Sequence, residues 1–165
     1  MKLAVDTHYL DDTAKVAGTL FKEWQDDDYI EKYVCQVSGN KSYEPGKFYK
    51  RELPGIQALI KKIIVRPEII IIDGYVFLDG IAKPGLGKHL YSWLDEKIPV
   101  IGVAKNPFKG IKDVNKITRG KSNKPLFVTC AGMDLAGAKK NISSMHGTYR
   151  IPTLLKLVDQ LSRKT

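Results

Sequence analysis

The sequence has little cysteine, little histidine and no long apolar run. Cys35 and Cys130 lie far apart in strand-like stretches with no CxxC spacing. That argues against a disulfide framework and predicts buried free thiols in a reducing compartment. The longest apolar run, IIVRPEIIII, contains Arg66 and Glu68 and is too short to span a bilayer, so no membrane partner is expected. Met1-Lys2 leads straight into a strand-like segment, so no secretory leader is expected either. Repeats and low-complexity tracts are also missing. A cytoplasmic protein is the expectation.

What is present is a chain of 165 residues with 43% hydrophobic content, enough for one domain (1–165) with a real core. The net charge of +9 is unevenly spread. Residues 1–35 hold four lysines and eight acids, a net of −4; residues 97–124 hold eight Lys/Arg and one acid, a net of +7. A basic stretch of that kind favours a polyanion such as nucleic acid.

Periodicity gives the elements. Residues 2–9, 14–21 and 29–37 read as three strands with short links, an antiparallel meander. The stretch SGNKSYEPG carries turn chemistry. A helix is predicted after Pro54, because Ile56, Leu59, Ile60, Ile63 and Ile64 form one apolar stripe, ended by Arg66-Pro67. Residues 68–76 read as a strand apolar on both faces, as in a central parallel strand. A helix after Pro84, a strand at 98–104, a loop or hairpin at 105–124, a strand at 125–130, and helices near 134–146 and 152–163 complete the chain. Strands first, then alternating helix and strand, imply an α/β fold with a mixed sheet flanked by helices. The order fits a ribonuclease H-like layout, in which Asp6 on the first strand and Asp73 on the fourth are neighbours.

Three acids stand out: Asp6 in LAVDTHY, Glu52 in FYKRELP and Asp73 in IIIIDGY. Asp6 and Asp73 each close an apolar run, which puts each carboxylate at a strand end. Charged groups are rarely buried unpaired, so each needs a partner. Carboxylates meeting at one rim of a sheet suit a divalent metal, and metals clamp phosphoryl groups.

The motifs, in order, resemble the endonuclease V family. VDTHY is similar to its VD-x-x-Y, SYEPGKFYKRELP to its P-Y-I-P-G followed by F-R-E-x-P, and IIIIDGY to its strand-end D-G. GLGKHL, IPVIGVAKNPFKG and GTYRIPTLLKLVD resemble its G-L-G-x-A-x-H, P-x-I-G-V-A-K and Y-R-[IL]-P segments. The six pieces stand in the family's order, with Tyr43 nine residues before Glu52. The resemblance implies a ribonuclease H-like fold and hydrolysis of a phosphodiester on the 3′ side of inosine in DNA or RNA. It also implies Mg²⁺ as cofactor, with Mn²⁺ as a possible substitute. A monomer is expected.

Carried over by position, Asp6, Glu52 and Asp73 become metal ligands. Asp159 is a fourth, ten residues after Tyr149, where the family helix carries its acid or histidine. Lys105 matches the VAK lysine and would hold the scissile phosphate or stabilise developing charge. Tyr43, Glu44, Pro45 and Gly46 match a wedge loop that enters the strand as the base turns out, Tyr43 stacking on an exposed base. Gly46, Phe48, Gly74, Gly87 and Lys88 match positions lining the family's base pocket.

The chain also departs from the pattern. The family's His-Pro-Arg before G-L-G reads Ala82-Lys83-Pro84, and spacing sets Asp79 opposite that histidine. Its S-P-G-H reads Cys130-Ala131-Gly132-Met133. Only five residues precede Asp6, so the helical segment common before the first family strand is not expected here. His8, His89 and His146 read as structural. Two rival functions follow: a nucleic-acid-binding module that has lost catalysis, and another ribonuclease H-like nuclease acting on junctions or RNA–DNA hybrids. A basic α/β protein with an unrelated partner is the plainest alternative.

Overall fold

The computed structural model describes residues 1–38 and 49–164. One seven-stranded sheet organises them. The strands are β1 (Lys2–Leu10), β2 (Thr13–Phe21), β3 (Glu31–Ser38), β4 (Ile69–Asp73), β5 (Val100–Ala104), β6 (Lys116–Ile117) and β7 (Leu126–Ala131), in the spatial order β3-β2-β1-β4-β5-β7-β6. The first three form the expected antiparallel meander. β4 lies parallel to both β1 and β5, while β7 and β6 are antiparallel to their neighbours. This is a ribonuclease H-like fold.

Among the described residues four helices cover the two faces: α1 (Tyr49–Lys62), α2 (Leu86–Trp93), α3 (Leu135–Ser144) and α4 (Thr153–Arg163). Strand alternation sorts the core. Leu3, Val5, Ile70 and Ile72 pack against Ile56 and Leu59 of α1 and Leu86 and Leu90 of α2. Ala4, Ile71, Ile101 and Val103 face the other way, toward Ala138 and Ile142 of α3 and Leu154 and Val158 of α4. Ile70, Ile71 and Ile72 are all buried, which is why β4 reads as a continuous apolar run.

Several boundaries differ from expectation. α1 begins at Tyr49 and takes Pro54 inside it, rather than starting after it. It stops at Lys62, so Ile64 falls off the apolar stripe and is 95% exposed. β4 ends at Asp73 instead of running to residue 76. The next residue, Gly74, takes φ +134°, a turn that L side chains rarely adopt. β1 runs four residues past Asp6, so that carboxylate is mid-strand. Yet the parallel pairing of β1 with β4 stops at Val5↔Ile72, and there the sheet opens. The basic segment holds a short 3₁₀ turn, Asp113–Asn115, and then β6.

Candidate active site

Where β1 and β4 part, Asp6, Asp73, Lys105 and Asp159 line one cleft of about 370 Å³, walled by Ile151, Pro152 and Leu155. Each arrives from a different element. Asp6 is on β1, Asp73 closes β4, Lys105 follows β5 and Asp159 is on α4. Glu52 comes from α1, on the opposite face of the sheet, and is only 7% exposed. Topology thus brings Asp6, Asp73, Lys105 and Asp159 to one cleft, while Glu52 does not line it and is linked to Asp6 and Asp73 through their charges.

The electrostatics show that these acids feel one another. Burial, then the Asp73 charge, pushes Asp6 up to about 8. Protonated Asp6 donates a hydrogen bond to Asp159, which raises it further. Burial disfavours a charged Asp159, but accepting from Asp6 and from Arg163 leaves its carboxyl below the ordinary range. Arg163 Nε stands 2.9 Å from Asp159 Oδ1. Burial, then the charges of Asp6 and Asp73, holds Glu52 well above its usual value, with the Tyr9 hydroxyl and Arg51 pulling the other way. Lys105 Nζ is 3.5 Å from Asp73 Oδ2. Ser162 Oγ lies 3.3 Å from Asp6 Oδ2 and donates to the Asp159 carbonyl at 2.7 Å.

Excess negative charge at a rim, made of hard oxygen donors, is the chemistry of an Mg²⁺ or Mn²⁺ site. Among the described residues, however, no three His, Cys, Asp or Glu side chains are gathered as a finished metal cage.

The remaining predicted residues have varied surroundings. Gly74 follows Asp73, its N–H donating to the Val103 carbonyl at 3.1 Å. Gly87 lies against Val76 and Ile72, where a Cβ would come within 2.5 Å of Val76 Cγ2, so its small size lets α2 settle on the sheet. Lys88 pairs with Glu96 at 2.9 Å. Asp79 accepts from the N–H groups of Ala82, Lys83 and Ile81, which pulls its carboxyl down to about 2 and makes it a turn organiser. His89 stacks on Tyr49 with ring centres 3.6 Å apart, and His146 Nδ1 is 2.9 Å from Thr153 Oγ1. Tyr43, Glu44, Pro45, Gly46 and Phe48, the expected wedge and part of the expected pocket, lie outside the described residues. Cys35 is buried and Cys130 half-buried, both free.

Sequence reasoning missed four residues. The Arg51 guanidinium lies over the Tyr9 ring, 3.8 Å from its centre, beside Glu52. The Tyr75 hydroxyl donates to the Asn106 carbonyl at 2.5 Å and accepts from Phe108 N–H at 3.1 Å, fixing the loop after Lys105. Arg150 donates to the Lys105, Lys124 and Pro125 carbonyls. Tyr9 closes the VDTHY motif, Arg51 precedes Glu52 directly, and Arg150 is in the YRIP segment, so motif position was the available signal.

A family model for endonuclease V matches residues 3–129. The chain belongs to the endonuclease V family. The endonuclease V of Streptomyces avermitilis is 32% identical over 145 residues, covering 74% of this chain and 61% of that protein. The Nostoc punctiforme endonuclease V is 27% identical over 175 residues, covering 92% and 76%. The chain spans about three fifths of the length of the Streptomyces relatives. Among solved structures, the S. avermitilis endonuclease V superposes with a TM-score of 0.77 at 26% identity, covering 98% of this chain and 78% of that one. The Ciona intestinalis endonuclease V, in complex with a 24mer DNA containing an inosine followed by a ribo-adenosine, gives 0.80 at 19%, covering 98% and 83%. That second likeness speaks to the fold. Among the described residues, no helix of this endonuclease V family member is long and apolar enough to cross a membrane.

Proposed function

We propose that this chain is a metal-dependent endonuclease that hydrolyses a phosphodiester on the 3′ side of inosine in DNA or RNA. The observation that carries the reading is the meeting of Asp6, Asp73, Asp159 and Lys105 in one cleft of an endonuclease V chain. The inosine-containing DNA bound by the Ciona relative supports the substrate.

Asp6, Asp73 and Asp159, with Glu52 from the opposite face, would hold Mg²⁺ or Mn²⁺. The ion would supply a Lewis acid for the phosphate oxygens and lower the pKa of an attacking water. Lys105, beside Asp73, places a cation where the scissile phosphate docks and charge develops. Asp6, protonated in the metal-free protein, would give up that proton on becoming a ligand. Arg163 keeps Asp159 oriented toward the cleft. The predicted wedge tyrosine, Tyr43, and Gly46 would serve the flipped base.

The rival reading, a binding module without catalysis, draws on the two replaced family histidines. One experiment separates them. An end-labelled single-stranded oligonucleotide with one deoxyinosine is incubated with and without Mg²⁺, beside Asp73→Ala. A single metal-dependent cut one nucleotide 3′ of the inosine, absent in the variant, supports the nuclease. No cut there or in an inosine-containing RNA, with binding retained, supports the module.

A further inference from the structure

Next to the acidic cleft runs a second groove of about 770 Å³ that shares Lys105 with it. Its floor is apolar, with Pro107, Phe108 and Phe127; its rim carries Lys105, Lys116, Lys124 and Arg150, and no acid lines it. Three sequence-distant segments build it: the loop after β5, the β6–β7 connection and the stretch before α4. They are tied together. Arg150 joins the carbonyls of Lys105, Lys124 and Pro125, and Tyr75 pins the loop bearing Phe108.

The cations are not equally committed. Lys116 pairs with Asp113 at 2.7 Å and Lys105 with Asp73 at 3.5 Å. Arg150 spends Nε and one terminal nitrogen on carbonyls and meets no carboxylate, so its full charge stays uncompensated among the described residues. The Lys124 ammonium is exposed and has no partner among them. Uncompensated cations above an apolar, partly aromatic floor match a single nucleic-acid strand, with phosphates on the rim and sugar or base faces on the floor.

Resting on the endonuclease reading, we propose that this groove is a strand track. It holds the single-stranded segment flanking the scissile phosphate, with Lys124 and Arg150 meeting phosphates beyond the one at Lys105. The track adds affinity without reading sequence, because backbone contacts carry no base information.

The test measures fluorescence anisotropy of single-stranded oligonucleotides, with and without one deoxyinosine, across a salt series with Ca²⁺ in place of Mg²⁺. Lys124→Glu is compared with Lys97→Glu, the same charge change on an exposed lysine outside the groove. The track predicts that Lys124→Glu weakens binding roughly tenfold and flattens the salt dependence by about one unit of slope, while Lys97→Glu does little. Equal effects of the two variants on affinity and slope would overturn it, showing a response to net charge alone. If Lys124→Glu acts as predicted on both oligonucleotides but the wild type cuts neither, the track stands and the nuclease reading falls. A wild type that binds neither oligonucleotide overturns both.

Discussion

The Arg51 guanidinium stacks over the ring of Tyr9, its central carbon 3.8 Å from the ring centre, and so ties the first turn of α1 to β1. Glu52 is the next residue, and the Tyr9 hydroxyl lies beside its carboxyl. The pair sets where Glu52 can reach, so Arg51→Ala should reduce kcat by about tenfold to hundredfold, the cost of a misplaced group near the chemistry. Arg51→Lys should recover little, because an ammonium lacks the planar stacking face. Tyr9→Phe keeps the ring but removes the group that lowers Glu52, so its acid limb should move to higher pH. Steady-state kinetics across pH, with circular dichroism to confirm folding, check all three.

Asp6 makes the metal-free protein pH-sensitive. Folded, it keeps its proton up to about 8, against an ordinary value of 3.8. Between those values the folded state binds more protons than the unfolded one, so stability falls as pH rises through the window. Asp6→Asn, a mimic of the protonated acid, should raise Tm in chelator at pH 8 by several degrees. The gain should shrink toward pH 4, where wild type is protonated too. Thermal melts at both pH values check this, and a gain that persists unchanged at pH 4 would refute it. The same variant should be inactive, an exchange of stability for function.

Arg119, 6% exposed, donates to the carbonyls of Met145, Gly147, Tyr149 and Arg150. It closes the connection between α3 and α4, and burial lowers its pKa. Arg119→Met would strand buried carbonyls and should cost on the order of 3 kcal/mol. Urea unfolding measures it through the midpoint, with the m-value unchanged.

The meander, the central strand β4 and the four helices were legible because their patterns are local. The short Asp11-Asp12 link between two strand-like runs marks β1 and β2, and an unbroken isoleucine run marks a strand covered on both faces. The antiparallel entry of β7 beside β5 was not legible, since pairing partners depend on contacts across the fold. Pro54 read as a helix start although it lies inside α1. The acids were found by motif position, and topology then brought Asp6, Asp73 and Asp159 to one cleft. Ser162, Arg119 and Arg150 act through side chains crossing from one segment to another, which no spacing along the chain displays.

Ser162 and Asp6 meet across 156 positions of sequence. The cleft thus joins side chains from β1 and α4, at opposite ends of the described residues, to Asp73 of β4 and Lys105 after β5. A nascent chain holding Asp6, Glu52 and Asp73 still lacks Asp159 and the wall that α4 supplies. The proposed carboxylate set is therefore complete only once translation has passed residue 163.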